Sequence, residues 1–213
     1  MNKPKIEDVH AAIRTLIAHA GDDPCRRGIE GTPDRVARAY AEWFSGYDVD
    51  VPKLLGTHFG DDDDVELLAG GRIEDFDGIV LLRNFPFTST CEHHMCPFVG
   101  HADVGYLPRA PDGTTTGRLV GLSKLGRLVN AYARRLQVQE RITAQVVGAL
   151  TEALRPRGVV VRLSASHHCM TTRGVRAHPA WTDTPTMMFI RPNEVGNLPA
   201  DTMPTLESHI LVA

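Results

Sequence analysis

Apolar residues along this chain keep two different rhythms, and the change from one to the other divides it. Ile6, Val9, Ile13, Leu16 and Ile17 follow the period of an α-helix and make one apolar stripe. Gly31-Thr32-Pro33-Asp34 then supplies an N-cap threonine, a proline at the first helical position and an acidic first turn. Val36, Tyr40 and Trp43 or Phe44 continue this second helix on one face. From about Ile73 the pattern becomes that of strands, with Ile79-Val80-Leu81-Leu82 and the run from Phe98 to Tyr106 flanking a polar, cysteine-containing connection. Pro108 to Thr116, rich in Pro, Gly and Thr, predicts a loop or hairpin tip.

Two more helices follow. Ser123 is an N-cap candidate for the first, with Leu125, Leu128, Val129 and Tyr132 on its buried face. Val138, Ile142, Val146, Leu150 and Leu154 recur every fourth residue in the second, which Pro156 to Gly158 end. Val159 to Leu163 is a buried strand, and Thr186 to Ile190 the last one. The predicted order is two N-terminal helices, then strand-strand-helix-helix-strand-strand, without an internal repeat.

Composition narrows the picture. A chain of 213 residues, 42% hydrophobic, builds one substantial core, so one domain with an appendage is expected rather than two equal domains. A net charge of −3 argues against broad nucleic-acid or membrane-surface binding, so any cationic site must be local. No apolar run approaches the ~20 residues that span a bilayer, and Met1-Asn2-Lys3-Pro4-Lys5 leads into no apolar signal core. With 4 cysteines and no secretory signal, reduced thiols are expected, and the protein reads as cytoplasmic. Asp61 to Asp64 is a solvated acidic loop, since no spaced cation ligands accompany it.

The candidate chemistry lies in two clusters, Cys91-Glu92-His93-His94 and His167-His168-Cys169. Cys91, His94 and Cys169 read together as three ligands of one catalytic Zn²⁺. Thiolate and imidazole suit zinc far better than Mg²⁺ or Ca²⁺, and three protein ligands leave a fourth tetrahedral position for water. His93 and His167 beside them are candidate proton carriers.

With the elements in this order, the stretch from Cys91 to Arg176 resembles GTP cyclohydrolase I, a zinc enzyme family that makes 7,8-dihydroneopterin triphosphate. The residues that carry the resemblance are Cys91-Glu92-His93-His94, Val120-Gly121-Leu122-Ser123-Lys124, Gln137-Val138-Gln139-Glu140-Arg141, His167-His168-Cys169-Met170 and Arg173-Gly174-Val175-Arg176. Thr32-Pro33-Asp34-Arg35-Val36-Ala37 adds a match in the N-terminal helices. The resemblance implies an α+β tunnelling fold, a ββααββ unit of antiparallel sheet and two helices preceded by N-terminal helices. Such units assemble into an oligomeric barrel, here a homodecamer with sites at subunit interfaces. Residues 1–60 would form the helical appendage, 61–192 the catalytic domain and 193–213 a tail of uncertain structure.

The resemblance also implies roles. Cys91, His94 and Cys169 hold one zinc per subunit, which makes hydroxide available near neutrality. His167 donates a proton at the imidazole ring of guanine, His93 moves protons at the ribose ring oxygen, and Ser123 lies near the rearranging ribose. Glu140 accepts from guanine N1–H and the exocyclic amine, with Gln139 and Leu122 adding substrate contacts. Lys124, Arg127 and Arg173 grip the triphosphate, and Arg35 reaches in from the N-terminal helices. Glu92 is either a support for a histidine or an ordinary structural carboxylate. Arg134, Arg135 and Arg141 read as surface residues.

Departures from the family pattern are Cys96, expected as a small core residue, His101, the Pro111 to Thr116 insertion and the ending from Ala177 to Ala213. They leave open the same or a truncated GTP ring-opening in a specialised 7-deazapurine or pterin pathway. A non-catalytic zinc- or nucleotide-binding protein is a further alternative, as is another tunnelling-fold enzyme.

Overall fold

One five-stranded sheet organises the chain, with its strands in the order β3-β1-β2-β4-β5. β1 (Val80–Cys91) and β2 (Pro97–Leu107) form a hairpin, and β4 (Gly158–His167) and β5 (Thr182–Phe189) extend it, all antiparallel. β3 (Leu136–Gln137) is a two-residue piece lying parallel to the end of β1. This computed structural model describes residues 3–56, 78–108 and 119–189. The Asp61 to Asp64 loop, the Pro111 to Thr116 insertion, the boundary near residue 60 and the 193–213 tail lie outside the described residues.

Alternation along the strands sends Phe98, Ala102, Val104 and Tyr106 of β2 and Val159, Val161, Leu163 and Ala165 of β4 to one buried face. There they meet Leu125, Leu128 and Val129 of α4 (Leu122–Ala133) and Ile142, Val146, Leu150 and Leu154 of α5 (Gln139–Leu154). Burial of such side chains contributes about 1.5–3 kcal/mol each, which is what holds two helices on one sheet face. β2 and β4 approach closely at Gly100, where any Cβ would lie 2.0 Å from the Ser164 carbonyl oxygen. The expected ββααββ order is present, with β3 and the one-turn α6 (His168–Thr171) added.

The N-terminal segments are α1 (Ile6–His19), α2 (Thr32–Trp43) and the short α3 (Val51–Leu55). The α1 stripe is helical as its period requires, but only Ile13 is buried, while Ile6 and Leu16 are 50% and 64% exposed. Arg135 anchors the turn after α2, donating to the Gly46 carbonyl at 3.1 Å and lying over the Tyr47 and Tyr132 rings. Two helix starts differ from expectation. Gly121, not Ser123, caps α4, because its backbone is extended (ψ 136°) and its carbonyl takes the Lys124 N–H at 2.8 Å; Ser123 sits inside the first turn. Thr32 likewise falls just inside α2, with Gly31 at the cap. Among the described residues, no helix is long and apolar enough to cross a membrane.

β1 sets the scale of the site. Cys91 is at one end; at the other, Val80 pairs with Tyr106, whose hydroxyl accepts the Val120 N–H at 3.0 Å. The start of α4 therefore stands over the Val80 end. The strand is 12 residues long, so its ends lie on the order of 35 Å apart at roughly 3.3 Å per residue.

Candidate metal centre and its surroundings

Cys91 ends β1, and the chain turns at once. The Cys91 N–H donates to the Cys96 carbonyl and the Met95 N–H to the Cys91 carbonyl, both at 2.8 Å, with Met95 in the left-handed region (φ 53°). Glu92 N–H donates to the Gln137 carbonyl at 2.9 Å, fixing the turn to β3. Across the sheet, Phe98 pairs with His167, so the β2–β4 register delivers α6, and with it Cys169, to the same corner.

The donor atoms of Cys91, His94 and Cys169 all lie within 4.8 Å of one another. A tetrahedral zinc with bonds of about 2.0–2.3 Å holds its donors roughly 3.3–3.8 Å apart, so these three need to draw in by about an ångström to share one ion. Cys91 Sγ is 4.0 Å from Nδ1 of both His94 and His93, but only His94 joins the cluster, and the exposed His93 ring stands edge-on to it at 6.3 Å. Burial raises the Cys169 thiol above its ordinary pKa, and the neighbouring Cys91 and Cys96 thiols raise it further. A cation at the corner reverses that preference, because the thiolate is the ligand form. Donor set and spacing therefore fit a soft or borderline metal. Among the described residues the cluster has three members, so no fourth side chain closes it.

His167 is held on two sides. Its ring stacks on Phe98 at 4.5 Å and 9°, and its Nε2 is 2.8 Å from Gln139 Oε1. Burial lowers its pKa, against which the nearby Glu140 carboxylate works. Gln139, expected as a base contact, is turned inward: it is 1% exposed, and its amide nitrogen already has the Leu163 and Thr182 carbonyls and Thr184 Oγ1 as partners. Its neighbour Glu140 is exposed at the start of α5.

Arg141, read from sequence as a surface residue, grips Glu92 with two hydrogen bonds of 2.5 and 3.0 Å. That guanidinium holds the Glu92 carboxyl below its ordinary pKa, with His93 adding a smaller pull. Glu92 Oε1 lies 3.9 Å from His93 Nε2. Arg173 reaches the metal corner, its Nη1 being 3.2 Å from His94 Nε2. Cys96 is half-buried beside the ligands, and Cys25, far along the chain, is exposed.

The other expected site residues are elsewhere. Leu122, Ser123 and Arg127 are exposed and Lys124 half-buried on the first turns of α4, toward the Val80 end. Arg35 is exposed on α2, donating to Thr32 Oγ1 at 2.8 Å. A single chain thus gathers Cys91, His94, Cys169, His167, Glu140 and Arg173 around one corner and carries Ser123 and Lys124 near the far end of the sheet.

The family model of GTP cyclohydrolase I matches residues 9–193. GTP cyclohydrolase 1 of Maricaulis maris is 48% identical over 177 residues, covering 83% of this chain and 77% of that protein. The Allorhizobium ampelinum protein of the same name is 46% identical, covering 87% and 83%, and that of Rickettsia felis 44%, covering 82% and 83%. With a family match across most of its length and relatives this similar, the chain belongs to the GTP cyclohydrolase I family.

Proposed function

We propose that the protein hydrolyses GTP at guanine C8, releases that carbon as formate, and rearranges the ribose to give 7,8-dihydroneopterin triphosphate for folate or other pterin synthesis. The observation that carries this reading is the convergence of Cys91, His94 and Cys169, within a family match, beside a half-buried, hydrogen-bonded His167. Held by those three ligands, one zinc ion per subunit supplies Lewis-acid activation of water.

The chain's own groups do the rest. His167 gives a proton to the guanine imidazole ring, and the exposed His93 exchanges protons at the ribose ring oxygen. Glu140 accepts from guanine N1–H and the exocyclic amine. Adenine cannot supply that pair of donors, so an unpaired carboxylate would penalise it by about 1–3 kcal/mol. Arg173 reaches the phosphates from the metal corner, while Leu122, Ser123, Lys124, Arg127 and Arg35 meet the substrate from a neighbouring copy.

The separation of Ser123 and Lys124 from the metal corner supports that division between subunits. Assembly into a tunnelling-fold barrel, as a homodecamer in the cytoplasm, completes the proposal. Its test is to incubate zinc-loaded protein with GTP and measure both formate and the fluorescence of oxidised neopterin. Both products are expected; formate alone would mean that the reaction stops at ring opening, and neither would refute the activity.

A further inference from the structure

The surroundings of Gln139 leave its amide one orientation. Carbonyl oxygens only accept hydrogen bonds, and two of them, Leu163 O at 3.0 Å and Thr182 O at 2.8 Å, face the amide nitrogen. Thr184 Oγ1 at 3.0 Å is a third neighbour on the same side. The amide oxygen is therefore the atom that meets His167 Nε2 at 2.8 Å. An amide oxygen also only accepts, so Nε2 must carry a hydrogen. Gln139 is 1% exposed, so solvent offers its amide no alternative partner.

We infer that Gln139 is a positioning residue: it holds His167 in the Nε2–H form, leaving Nδ1 as the ring nitrogen that exchanges a proton with substrate, and it takes no part in reading the base. The Phe98 ring, stacked at 4.5 Å, fixes the imidazole plane, while the Gln139 oxygen fixes its rotation within that plane. The amide itself is fixed by β4, through Leu163, and by β5, through Thr182 and Thr184. Ring orientation is thus set by backbone that the sheet already holds rigid. The inference about Nδ1 rests on the proposed role of His167, whereas the hold on Nε2 stands on geometry alone.

Two measurements test it. In zinc-loaded, histidine-¹⁵N-labelled protein without GTP, with the His167 signals identified by their loss in His167→Asn, Nε2 should be the protonated nitrogen and Nδ1 the bare one. The opposite tautomer would overturn the inference, and this reading needs no altered Gln139. In Gln139→Met, which keeps side-chain length but removes the acceptor, kcat should fall about 10- to 100-fold with KM for GTP unchanged, as for other groups that orient a working histidine. His167 should then show a mixture of tautomers. A raised KM with kcat preserved would return Gln139 to the role of base contact. Should the native protein keep the Nε2–H form yet release no formate from GTP, the proposed reaction fails while the hold on His167 stands.

Discussion

The two ends of β1 present opposite kinds of surface. At the Cys91 end, side chains from β1, the following turn, α5, β4 and α6 are tied to one another: Glu92 to Arg141, His167 to Gln139, His94 to Arg173. At the Val80 end, α4 begins with an exposed Leu122 (59%), an exposed Ser123 and a Lys124–Arg127 pair one turn apart on a helix N-terminus, a location favourable to phosphate. One end is preorganised chemistry and the other an anion-receptive surface. On the proposed reading, in which one substrate touches both ends, the difference implies a unit of function larger than the chain.

The largest effects should come from separating the two ends genetically. Cys169→Ser should lose both metal and turnover, measured as bound zinc and formate release, because it removes one of the three candidate ligands. Lys124→Ala should keep its zinc and raise KM for GTP roughly 10- to 100-fold, as expected for a lost charge-assisted contact of about 1.5–3 kcal/mol. Co-assembly of the two variants is the sharper experiment. If each site takes its metal corner from one copy and its cations from another, a 1:1 random mixture regains about a quarter of the native sites by symmetry counting. Activity no higher than that of the two parents would mean that each chain builds its own site.

Much of this was legible in the sequence, for identifiable reasons. Cys91, His94 and Cys169 announce themselves because soft donors are rare and their chemistry is specific, and the α5 stripe from Ile142 to Leu154 is a long, regular period. What escaped depends on partners distant in sequence. Arg141 has a solvent-exposed pattern, and only the fold brings Glu92, 49 positions away, into its reach. Gln139 reads as a base contact through the family resemblance, because no local signal reveals three acceptors from β4 and β5. β3 is two residues long and has no period to detect. Gly121 and Ser123 are both acceptable caps, so composition alone could not choose between them. The α1 stripe was correct as a helix, yet exposed Ile6 and Leu16 show that periodicity does not say what covers a face.

A smaller effect concerns recognition beside the metal corner. Glu140→Gln replaces one acceptor oxygen by a donor while keeping shape. KM for GTP should rise by about tenfold or more, from one unsatisfied contact of about 1–3 kcal/mol, at unchanged zinc content. Zinc loss would show that Glu140 supports the metal corner instead, and an unchanged KM would remove it from guanine recognition.

The smallest effect should be the Glu92–Arg141 pair, and its value is that it touches only one end. Arg141 lowers the Glu92 carboxyl, so the folded protein holds that proton less tightly than the unfolded chain does. The pair therefore stabilises the fold above the ordinary carboxylate value, and the contribution is lost as pH falls through the lowered one. Both groups are solvent-accessible, so screening keeps the gain small. Arg141→Ala should melt slightly below native protein at neutral pH and together with it in strong acid. Because Glu92 N–H also tethers the Cys91 turn to Gln137, the variant should weaken zinc binding a few-fold while leaving the Lys124 grip, read as KM for GTP at saturating zinc, unaltered. A melting difference that persists in acid would assign Arg141 to packing instead of charge. An altered KM at full zinc occupancy would mean that the two ends of β1 are coupled through the chain itself.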